Sequence, residues 1–267
     1  MGIVATIANH KGGVGKTSLV VNLADAYSRL GLSVLVVDMD AQANTTKTLL
    51  GSEYYPPETS VMDAIFHDGT DISRYIQQRT TIKGVHLIGG TIKLMRIEER
   101  LRATTLAPAR VFVNKMNYLR ELYDLVLVDT PPNLFLMPAI ALTCSDYFFV
   151  PIQSGDSYSL DGMDDLMGLV KQVREMNPAL KFGGAVLNRH DGRRRVDKGT
   201  QIAASDLFQE KLLETKIPDA TSIKTAAAES STVMAKDRDG GAALAVAALA
   251  RETATIMGLA LEEIKVA

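Results

Sequence analysis

Short apolar segments and helix-spaced apolar positions alternate from the beginning of the chain. Ile3–Ala8 and Ser33–Val37 are apolar runs of the kind that form buried strands. The apolar positions between them recur with the spacing of one helix face. They are Leu19, Leu23, Ala26 and Leu30. Gly31 then ends the predicted helix. This order predicts a strand, a loop, a helix and a second strand, the unit from which helix-covered parallel sheets are built.

The same alternation continues through the rest of the chain. Four further apolar runs are candidates for buried strands: Val85–Ile88, Leu125–Val128, Tyr147–Pro151 and Phe182–Leu187. Three stretches with helical character accompany them: Thr105–Leu122, Ser159–Met176 and Ala242–Met257. The pattern predicts an α/β fold, with a single doubly wound, mostly parallel sheet and helices on both faces, in one domain over residues 1–267. Two prolines predict a surface loop at Ser52–Thr59.

The composition of the chain is that of a globular protein with a sizeable core. Of the 267 residues, 46% are hydrophobic and 22% are charged, which excludes a disordered or collagen-like chain. The 29 basic and 31 acidic residues give a net charge of −2, so any nucleic-acid contact must come from a local basic patch. Cys144 is the one cysteine, which excludes an intrachain disulfide and a multi-cysteine metal site. We expect it to be buried.

The two ends of the chain and its apolar stretches give no sign of a membrane protein. The sequence starts without a basic leader, and no apolar stretch reaches the length of about 18 residues that a membrane span needs. We therefore expect neither a signal peptide nor a membrane span.

A glycine-rich loop lies between the first predicted strand and helix, where α/β proteins bind phosphate groups. Its sequence is KGGVGKT, and its glycines allow the backbone to approach an anion and turn N–H groups toward it. The following helix adds the positive end of its dipole. Lys16 can reach the β- and γ-phosphates, and the Thr17 hydroxyl can ligate Mg²⁺. The predicted phosphate-binding residues are Lys11, Gly12, Gly13, Val14, Gly15, Lys16, Thr17 and Ser18.

The front of this loop departs from the general P-loop pattern. That pattern has a glycine five positions before Gly15, where this chain has His10, and a second lysine, Lys11, follows. Because a lone histidine is a poor indicator of a metal site, we expect His10 to serve the geometry of the loop.

Three aspartates follow predicted strands at the sheet edge where open α/β folds bind ligands. Asp38 and Asp40 come at the end of the second strand, and Asp129 follows Leu125–Val128. Phosphoryl transfer needs a carboxylate that holds Mg²⁺, directly or through water, and a group that orients the attacking water. We therefore predict Thr17, Asp38 and Asp129 around the metal and Asp40 beside the water.

Four motifs, in this order, resemble those of the ParA family of deviant Walker-type ATPases within the wider ParA/MinD group: KGGVGKTS, VLVVDMDAQANTT, LVLVDTPPN and VPIQSGDSYSLDG. The resemblance covers nearly the whole chain and implies a P-loop NTPase that uses ATP and Mg²⁺. Lys11 matches the signature lysine, which in the family crosses an ATP-sandwich dimer to the other subunit's phosphates. The implied catalytic residues are Lys11, Lys16 and Asp40, with Asp129 as the Walker B aspartate and Asn188, Pro218 and Asp219 around the adenine.

The resemblance implies a nucleotide switch more than a metabolic enzyme. ATP would join two copies into a homodimer that binds nonspecific DNA, and slow hydrolysis, stimulated by a ParB-like or other adaptor protein, would release it. The cargo would be a plasmid, a chromosome region or a protein assembly, and the protein would be cytoplasmic and associated with the nucleoid. Because the P-loop begins at Lys11, the chain resembles the short members that have no N-terminal DNA-binding domain.

A basic cluster at Arg189–Lys198 (RHDGRRRVDK) contains five cations and two aspartates, a local charge of +3. Its glycine and its lack of apolar periodicity predict a surface loop that contacts DNA phosphates without sequence preference, although charged loops are commonly only solvated. The predicted DNA-binding residues are Arg193, Arg194, Arg195, Lys198 and Lys224. Chromosome-partition members often carry arginines after the position of Pro218, where this chain has DATSIK, so the arginine trio or Lys224 must do more of the binding.

Three other classes of protein share the predicted fold. A MinD-like membrane switch needs a C-terminal amphipathic helix with basic residues on one face, whereas this chain ends GLALEEIKVA, so we expect no membrane partner. An ATP-dependent biosynthetic enzyme of the dethiobiotin-synthetase kind would turn over a small substrate and need no DNA. An iron–sulfur carrier like the nitrogenase iron protein needs paired cysteine ligands, which the single Cys144 disfavours.

Overall fold

Six strands form the centre of the computed structural model, which describes residues 1–51, 60–66, 69, 71–96, 108–156 and 160–261. The strands are β1 Ile3–Ile7, β2 Val34–Asp38, β3 Val85–Ile88, β4 Leu125–Asp129, β5 Tyr147–Gln153 and β6 Lys181–Asn188. Their order across the sheet is β3-β2-β4-β1-β5-β6, and each of these pairings is parallel. The six predicted strands are confirmed, with small shifts of their ends.

Helices connect the strands. They are α1 Lys16–Arg29, α2 Asn44–Leu50, α3 Val61–Phe66, α4 Pro108–Leu122, α5 Leu136–Thr143, α6 Met163–Arg174, α7 Arg195–Phe208, α8 Thr221–Ala228, α9 Val233–Lys236 and α10 Gly241–Met257, with short 3₁₀ turns at Ser73–Tyr75, Ile92–Arg96 and Gln209–Lys211. The helices predicted from periodicity are confirmed as α1, α4, α6 and α10. Gly31, with a φ of +88°, follows the end of α1 as predicted. The loop predicted at Ser52–Thr59 lies outside the described residues.

Helix α7 corrects the prediction that Arg189–Lys198 is entirely a loop. Only its first part is a loop, because α7 begins at Arg195. The buried side of α7 is a narrow stripe made of Asp197, Thr200, Ala204 and Phe208. Since two of these four residues are polar, the helix lacks the apolar repeat by which an amphipathic helix is recognised in a sequence.

The side chains of each strand alternate between two faces that are both buried. In β2, Val34 and Val36 belong to the core that includes α1 and α10, whereas Leu35 and Val37 pack in the core that includes α4 and α5. A further cluster joins β5 and β6 to α6 and α7. Strands buried on both faces are read as continuous apolar runs, which is why they were recognisable in the sequence. This arrangement confirms the doubly wound α/β fold.

The carboxyl ends of three central strands lie side by side. β4 lies between β2 and β1, and Asp129 at its end is in register with both Asp38 and Ile7. The glycine-rich loop after β1 and the acidic turn after β2 therefore start on either side of Asp129. Open α/β sheets bind ligands at the carboxyl ends of their strands, which makes this edge the place to look for a site.

Candidate functional site

The loop between β1 and α1 depends on glycine at two positions. Gly13 and Gly15 have φ values of +78° and +91°, a region that residues with side chains rarely adopt. A Cβ on Gly15 would lie 2.1 Å from the side-chain nitrogen of Asn188. Asn188 is buried, and its Nδ2 donates to the carbonyl of Val14 at 2.7 Å. This side chain, predicted as an adenine contact, therefore also fixes the loop.

Lys16, the first residue of α1, holds its charge largely out of water. Only 6% of the residue is exposed, and its Nζ donates to the carbonyl oxygen of Lys11 at 2.8 Å. Burial lowers the pKa of the ammonium, while the nearby Asp129 and Asp40 raise it. Lys11 is partly exposed at the front of the loop, where its N–H donates to Asn9 Oδ1 at 3.0 Å. An anion bound in the loop would thus meet a cation that is already desolvated.

Asp129 is a fully buried carboxylate whose two oxygens have different surroundings. Oδ2 accepts hydrogen bonds from the Thr17 hydroxyl at 2.8 Å and from the Thr45 hydroxyl at 2.6 Å. Oδ1 is buried and has no hydrogen-bond partner. Burial raises the pKa of Asp129 to about 6, against the lowering effect of the two threonine hydroxyls. A buried oxygen with an open coordination position is what a cation would use.

Asp38 lies on the neighbouring strand and is also fully buried. Its Oδ2 accepts from the N–H of Thr46 at 2.8 Å and from the Thr46 hydroxyl at 2.6 Å, and its Oδ1 accepts from the N–H of Asp40 at 3.1 Å. Burial, together with the neighbouring Asp129, raises the pKa of Asp38 to about 7. Two adjacent buried carboxylates repel each other when both are ionised, so a divalent cation between or beside them would be favoured.

The raised pKa values of this pair predict how the stability of the ligand-free protein depends on pH. Between about pH 4 and pH 7 the folded state binds more protons at Asp38 and Asp129 than the unfolded state, so their contribution to stability falls as pH rises through this window. Replacing Asp129 with asparagine removes one titrating group and also removes the charge that raises the pKa of Asp38. We therefore expect the variant to lose less stability than the wild type between pH 5 and pH 7.5, by on the order of 1 kcal/mol or more.

Urea unfolding at the two pH values measures this difference, and subtracting the change seen in the variant from the change seen in the wild type cancels the titrating groups that the two proteins share. The Asp129→Asn variant keeps an oxygen that can accept from Thr17 and Thr45. An equally steep pH dependence in wild type and variant would contradict a raised pKa for the pair.

Asp40 sits in a tight turn between β2 and α2. Its Oδ1 accepts from the N–H of Gln42 at 2.9 Å, and its carbonyl accepts from the N–H of Ala43. Ala43 has a φ of +54°, an uncommon value for a residue with a side chain. Strained backbone of this kind is concentrated at functional sites, and here it directly precedes the first turn of α2.

A cavity of about 550 Å³ lies over this edge of the sheet. The glycine loop from Gly12 to Ser18 lines it, with the exception of Val14, together with Asp40 and Lys47. Asp38 and Asp129 do not line the cavity. Asp129 connects to it through the hydroxyl of Thr17. The structure therefore brings most of the predicted phosphate-binding residues and the predicted water-orienting residue together at one cavity.

A smaller pocket of about 120 Å³ adjoins the cavity and contains the residues predicted around the adenine. Asn188, Pro218 and Asp219 line it, and Ser18 and Arg189 line both the pocket and the cavity. Arg189 has a φ of +55° and belongs to the loop that follows β6. A flat base and a phosphate chain could thus occupy neighbouring compartments.

The five residues predicted to bind DNA fall into two groups. Arg193 and Arg194 pair with Asp191 at 2.9 and 3.5 Å, and Arg194 and Lys224 pair with Asp219 at 3.1 and 2.9 Å. Bonds from these cations lower the pKa values of Asp191 and Asp219. Arg195 and Lys198 lie on the first turn of α7 and are exposed. Asp219 thus joins the arginine loop, Lys224 and the smaller pocket.

Several side chains of the site could not be predicted from the sequence, among them Thr45, Thr46 and Lys47. Thr45 and Thr46 bind the two buried carboxylates, and Lys47 lines the cavity while its Nζ donates to the carbonyl of Gln42 at 2.8 Å. In the sequence they form the TTK that follows Asp40 after four residues, and this position alone does not show which groups they contact. Hydroxyl residues at such a position can donate to carboxylates at the ends of strands.

Cys144 has the structural surroundings expected of it, and His10 packs against the residue that precedes α6. A Cβ on Gly162 would lie 2.4 Å from the ring of His10, so the ring packs closely on that glycine, and burial lowers the pKa of His10. Cys144 is buried, as predicted, and burial raises the pKa of its thiol to about 12. Within the described part of the chain, no group of three or more His, Cys, Asp or Glu side chains is arranged to hold a metal.

Comparisons with known proteins show which sequences this chain resembles. A family model described as an AAA domain matches residues 2–182. The sporulation initiation inhibitor protein Soj of Bacillus subtilis is 31% identical over 255 residues, which cover 95% of this chain and 99% of that protein. The chromosome partitioning protein ParA of Caulobacter vibrioides is 30% identical over 252 residues, which cover 93% of this chain and 92% of that protein.

A solved structure gives a likeness of fold. Cobyrinic acid a,c-diamide synthase from Mycobacterium smegmatis, with a bound ATP analogue and magnesium, matches with a TM-score of 0.82 over 99% of this chain and 100% of that chain. The sequences are 24% identical, so this likeness concerns the fold alone.

Proposed function

The chain belongs to the ParA and MinD family of ATPases, and from this membership we propose that it is an ATP-dependent switch that positions a cargo. Mg²⁺ and ATP join two copies into a homodimer, the dimer binds DNA without sequence preference, and hydrolysis stimulated by an adaptor releases it. The observation that carries the proposal is that Lys16, Thr17 and Asp40 line one cavity, with Asp129 bonded to Thr17 beneath it.

The residues around Asp129 fit Mg²⁺. The ion prefers oxygen ligands; Oδ1 of Asp129 is a buried oxygen without a hydrogen-bond partner, and the neighbouring Thr17, which lines the cavity, contributes a hydroxyl oxygen. Thr17 and Asp129 would hold the metal, while Asp38, whose oxygens already accept three hydrogen bonds, would contribute its charge. When bound, Mg²⁺ supplies positive charge that stabilises the phosphates in the transition state.

In the proposed reaction the protein positions groups and neutralises charge. Backbone N–H groups of the glycine loop and the desolvated ammonium of Lys16 hold the β- and γ-phosphates. Asp40, which follows β2 and lines the cavity, orients the attacking water. Lys11 of a second copy supplies a further cation, in the way an arginine finger does, so that turnover depends on dimer formation.

The smaller pocket is the proposed site of the adenine. Its lining by Asn188, Pro218 and Asp219 supports this assignment, and its contact with the phosphate cavity through Ser18 and Arg189 supports a single bound nucleotide. Asp219 also pairs with Arg194 and Lys224. These two belong to the five predicted DNA-binding residues, called the basic surface here: Arg193, Arg194, Arg195, Lys198 and Lys224. A base bound in the pocket would therefore contact a residue that is paired with this surface.

DNA binding is proposed for the basic surface, with Arg195 and Lys198 as its principal contacts. Arg195 and Lys198, on the first turn of α7, are exposed to solvent. The other three cations form ion pairs with aspartates: Arg193 with Asp191, and Arg194 and Lys224 with Asp219. Contacts of this kind bind phosphates through counterion release and read no bases. A dimer doubles their number, which makes DNA affinity depend on the nucleotide state.

The test of this function is DNA binding by the purified protein in each nucleotide state. We expect dimers and tight binding to a random-sequence duplex with Mg–ATP, and monomers and weak binding with ADP. Changing Arg195 and Lys198 together to alanine should weaken DNA binding about tenfold and flatten its dependence on salt, while dimer formation with ATP persists. Fluorescence anisotropy of the DNA at several salt concentrations and sedimentation of the protein measure the two properties.

A matched control changes Lys83 and Lys171, two exposed lysines outside the basic surface, to alanine. This control should keep the affinity of the wild type. DNA affinity that is the same with ATP, with ADP and without nucleotide would contradict the proposed switch. Unchanged DNA affinity in the variant with alanine at Arg195 and Lys198 would show that DNA binds to another surface.

The remaining features of the proposal concern partners and location. From family membership we propose a ParB-like or other adaptor protein as partner, a plasmid, chromosome region or protein assembly as cargo, and a cytoplasmic location on the nucleoid. Within the described residues, the helices are all too short or too polar to cross a bilayer. The MinD-like alternative depends on the C-terminal residues 258–267, of which 262–267 lie outside the described part of the chain.

A further inference from the structure

Thr45 is a buried hydroxyl residue that belongs neither to the glycine loop nor to the three aspartates of the site. It lies in the first turn of α2, is 0% exposed, and donates to Oδ2 of Asp129 at 2.6 Å. Thr17 donates to the same oxygen at 2.8 Å, from the other side of the site. Both donors therefore converge on one oxygen, and the second oxygen of the carboxylate is left without a partner.

We propose that Thr45 is a positioning residue for Mg²⁺, which together with Thr17 holds the Asp129 carboxylate in one orientation and leaves Oδ1 for the metal. The inference rests on the proposed function, since it concerns the same Mg–ATP site. A carboxylate held by one hydroxyl can rotate about its Cβ–Cγ bond, whereas two donors on one oxygen restrict that rotation. Thr17 is also a proposed metal ligand, so Thr45 is the donor whose single task is to hold Asp129.

The same contact connects the metal site to the turn that carries Asp40. Thr46, the next residue, donates its hydroxyl and its N–H to Asp38, and Thr46 Oγ1 accepts from the N–H of Gly90. Two successive threonines of α2 thus form hydrogen bonds with the two buried carboxylates. A helix of seven residues has little stability of its own, so these contacts hold it in place. Metal held at Asp129 would therefore stabilise α2 and, through Ala43, the Asp40 turn.

The test compares Mg²⁺ dependence in Thr45→Val, which keeps the shape of the side chain and removes the hydroxyl. A fluorescent ATP analogue is bound first in EDTA and then titrated with magnesium chloride. We expect unchanged affinity in EDTA and about a tenfold higher Mg²⁺ concentration for the half-maximal response, since a hydrogen bond to a charged group contributes roughly this factor. Amide exchange over residues 44–50 should slow on addition of Mg²⁺ and nucleotide in the wild type and much less in the variant.

Two further variants separate positioning from packing. Thr45→Ser restores the hydroxyl and should restore the Mg²⁺ response. Thr143→Val removes a buried hydroxyl that bonds to Ala139 in its own helix, and it should respond as the wild type does. A wild-type Mg²⁺ response in Thr45→Val, or an impaired one in Thr45→Ser, would overturn the inference. A wild-type protein that binds no ATP analogue would instead contradict the proposed function.

Discussion

An alanine in place of Lys16 is expected to lower the affinity for Mg–ATP about 100-fold or more. Lys16 as a residue is 6% exposed, so much of the desolvation cost of its charge is already met in the folded protein, and a triphosphate placed beside it gains a strong charge interaction. Asp129 and Asp40 raise the pKa of Lys16 against the lowering effect of burial, which favours the charged form in the ligand-free site. Titration of a fluorescent ATP analogue into the purified variant measures the loss.

Two controls separate loss of the charge from collapse of the loop. The Nζ of Lys16 donates to the carbonyl of Lys11, so Lys16→Gln, which keeps a donor without the charge, should lose binding nearly as fully as Lys16→Ala. Lys171→Ala removes an exposed cation from α6 and should bind as the wild type does. Affinity for the analogue that is undiminished in both Lys16 variants would contradict the assignment of the glycine loop as the phosphate site.

The strands and the glycine loop were predictable because each leaves a local mark in the sequence. β2 and β4 are buried on both faces, so every residue of Val34–Val37 and of Leu125–Val128 must be apolar, and a run of such residues is recognised without knowledge of its partners. Gly13 and Gly15 are required by their positive φ values, again a property of single residues. The position of Asp129 beside the loop then follows from parallel strands whose carboxyl ends share one edge.

Other parts of the site depend on contacts between distant residues, which leave no such mark. Thr45 and Asp129 are 84 positions apart, and nothing around either residue indicates that the hydroxyl reaches the carboxylate. Asp219 joins Arg194 to Lys224 only because the segment after β6 and the segment before α8 lie together. Helix α7 was missed for a different reason, because polar Asp197 and Thr200 occupy half of its buried stripe.

An alanine in place of Asp40 is expected to leave ATP binding intact and to lower the rate of hydrolysis by about 100-fold or more, the range attributed to a group that orients or activates the attacking water. Asp40 lines the phosphate cavity but is not bonded to the glycine loop by any hydrogen bond found among the described residues. Its loss should therefore affect the chemical step more than the binding of the phosphates. Single-turnover release of phosphate measures the rate, and the ATP-bound dimer should accumulate in size-exclusion chromatography.

Asp40→Asn is the control for the shape of the turn. The asparagine keeps an oxygen that accepts from the N–H of Gln42, so the turn before α2 should persist while the carboxylate charge is lost. If Asp40 acts on the water through its charge, both variants should bind ATP, dimerise and hydrolyse slowly. If its contribution were only to the turn, the asparagine would restore hydrolysis and the alanine alone would be slow. A variant that binds ATP but stays monomeric would show that the Asp40 turn is needed for the two copies to meet, and would remove Asp40 from the proposed chemistry.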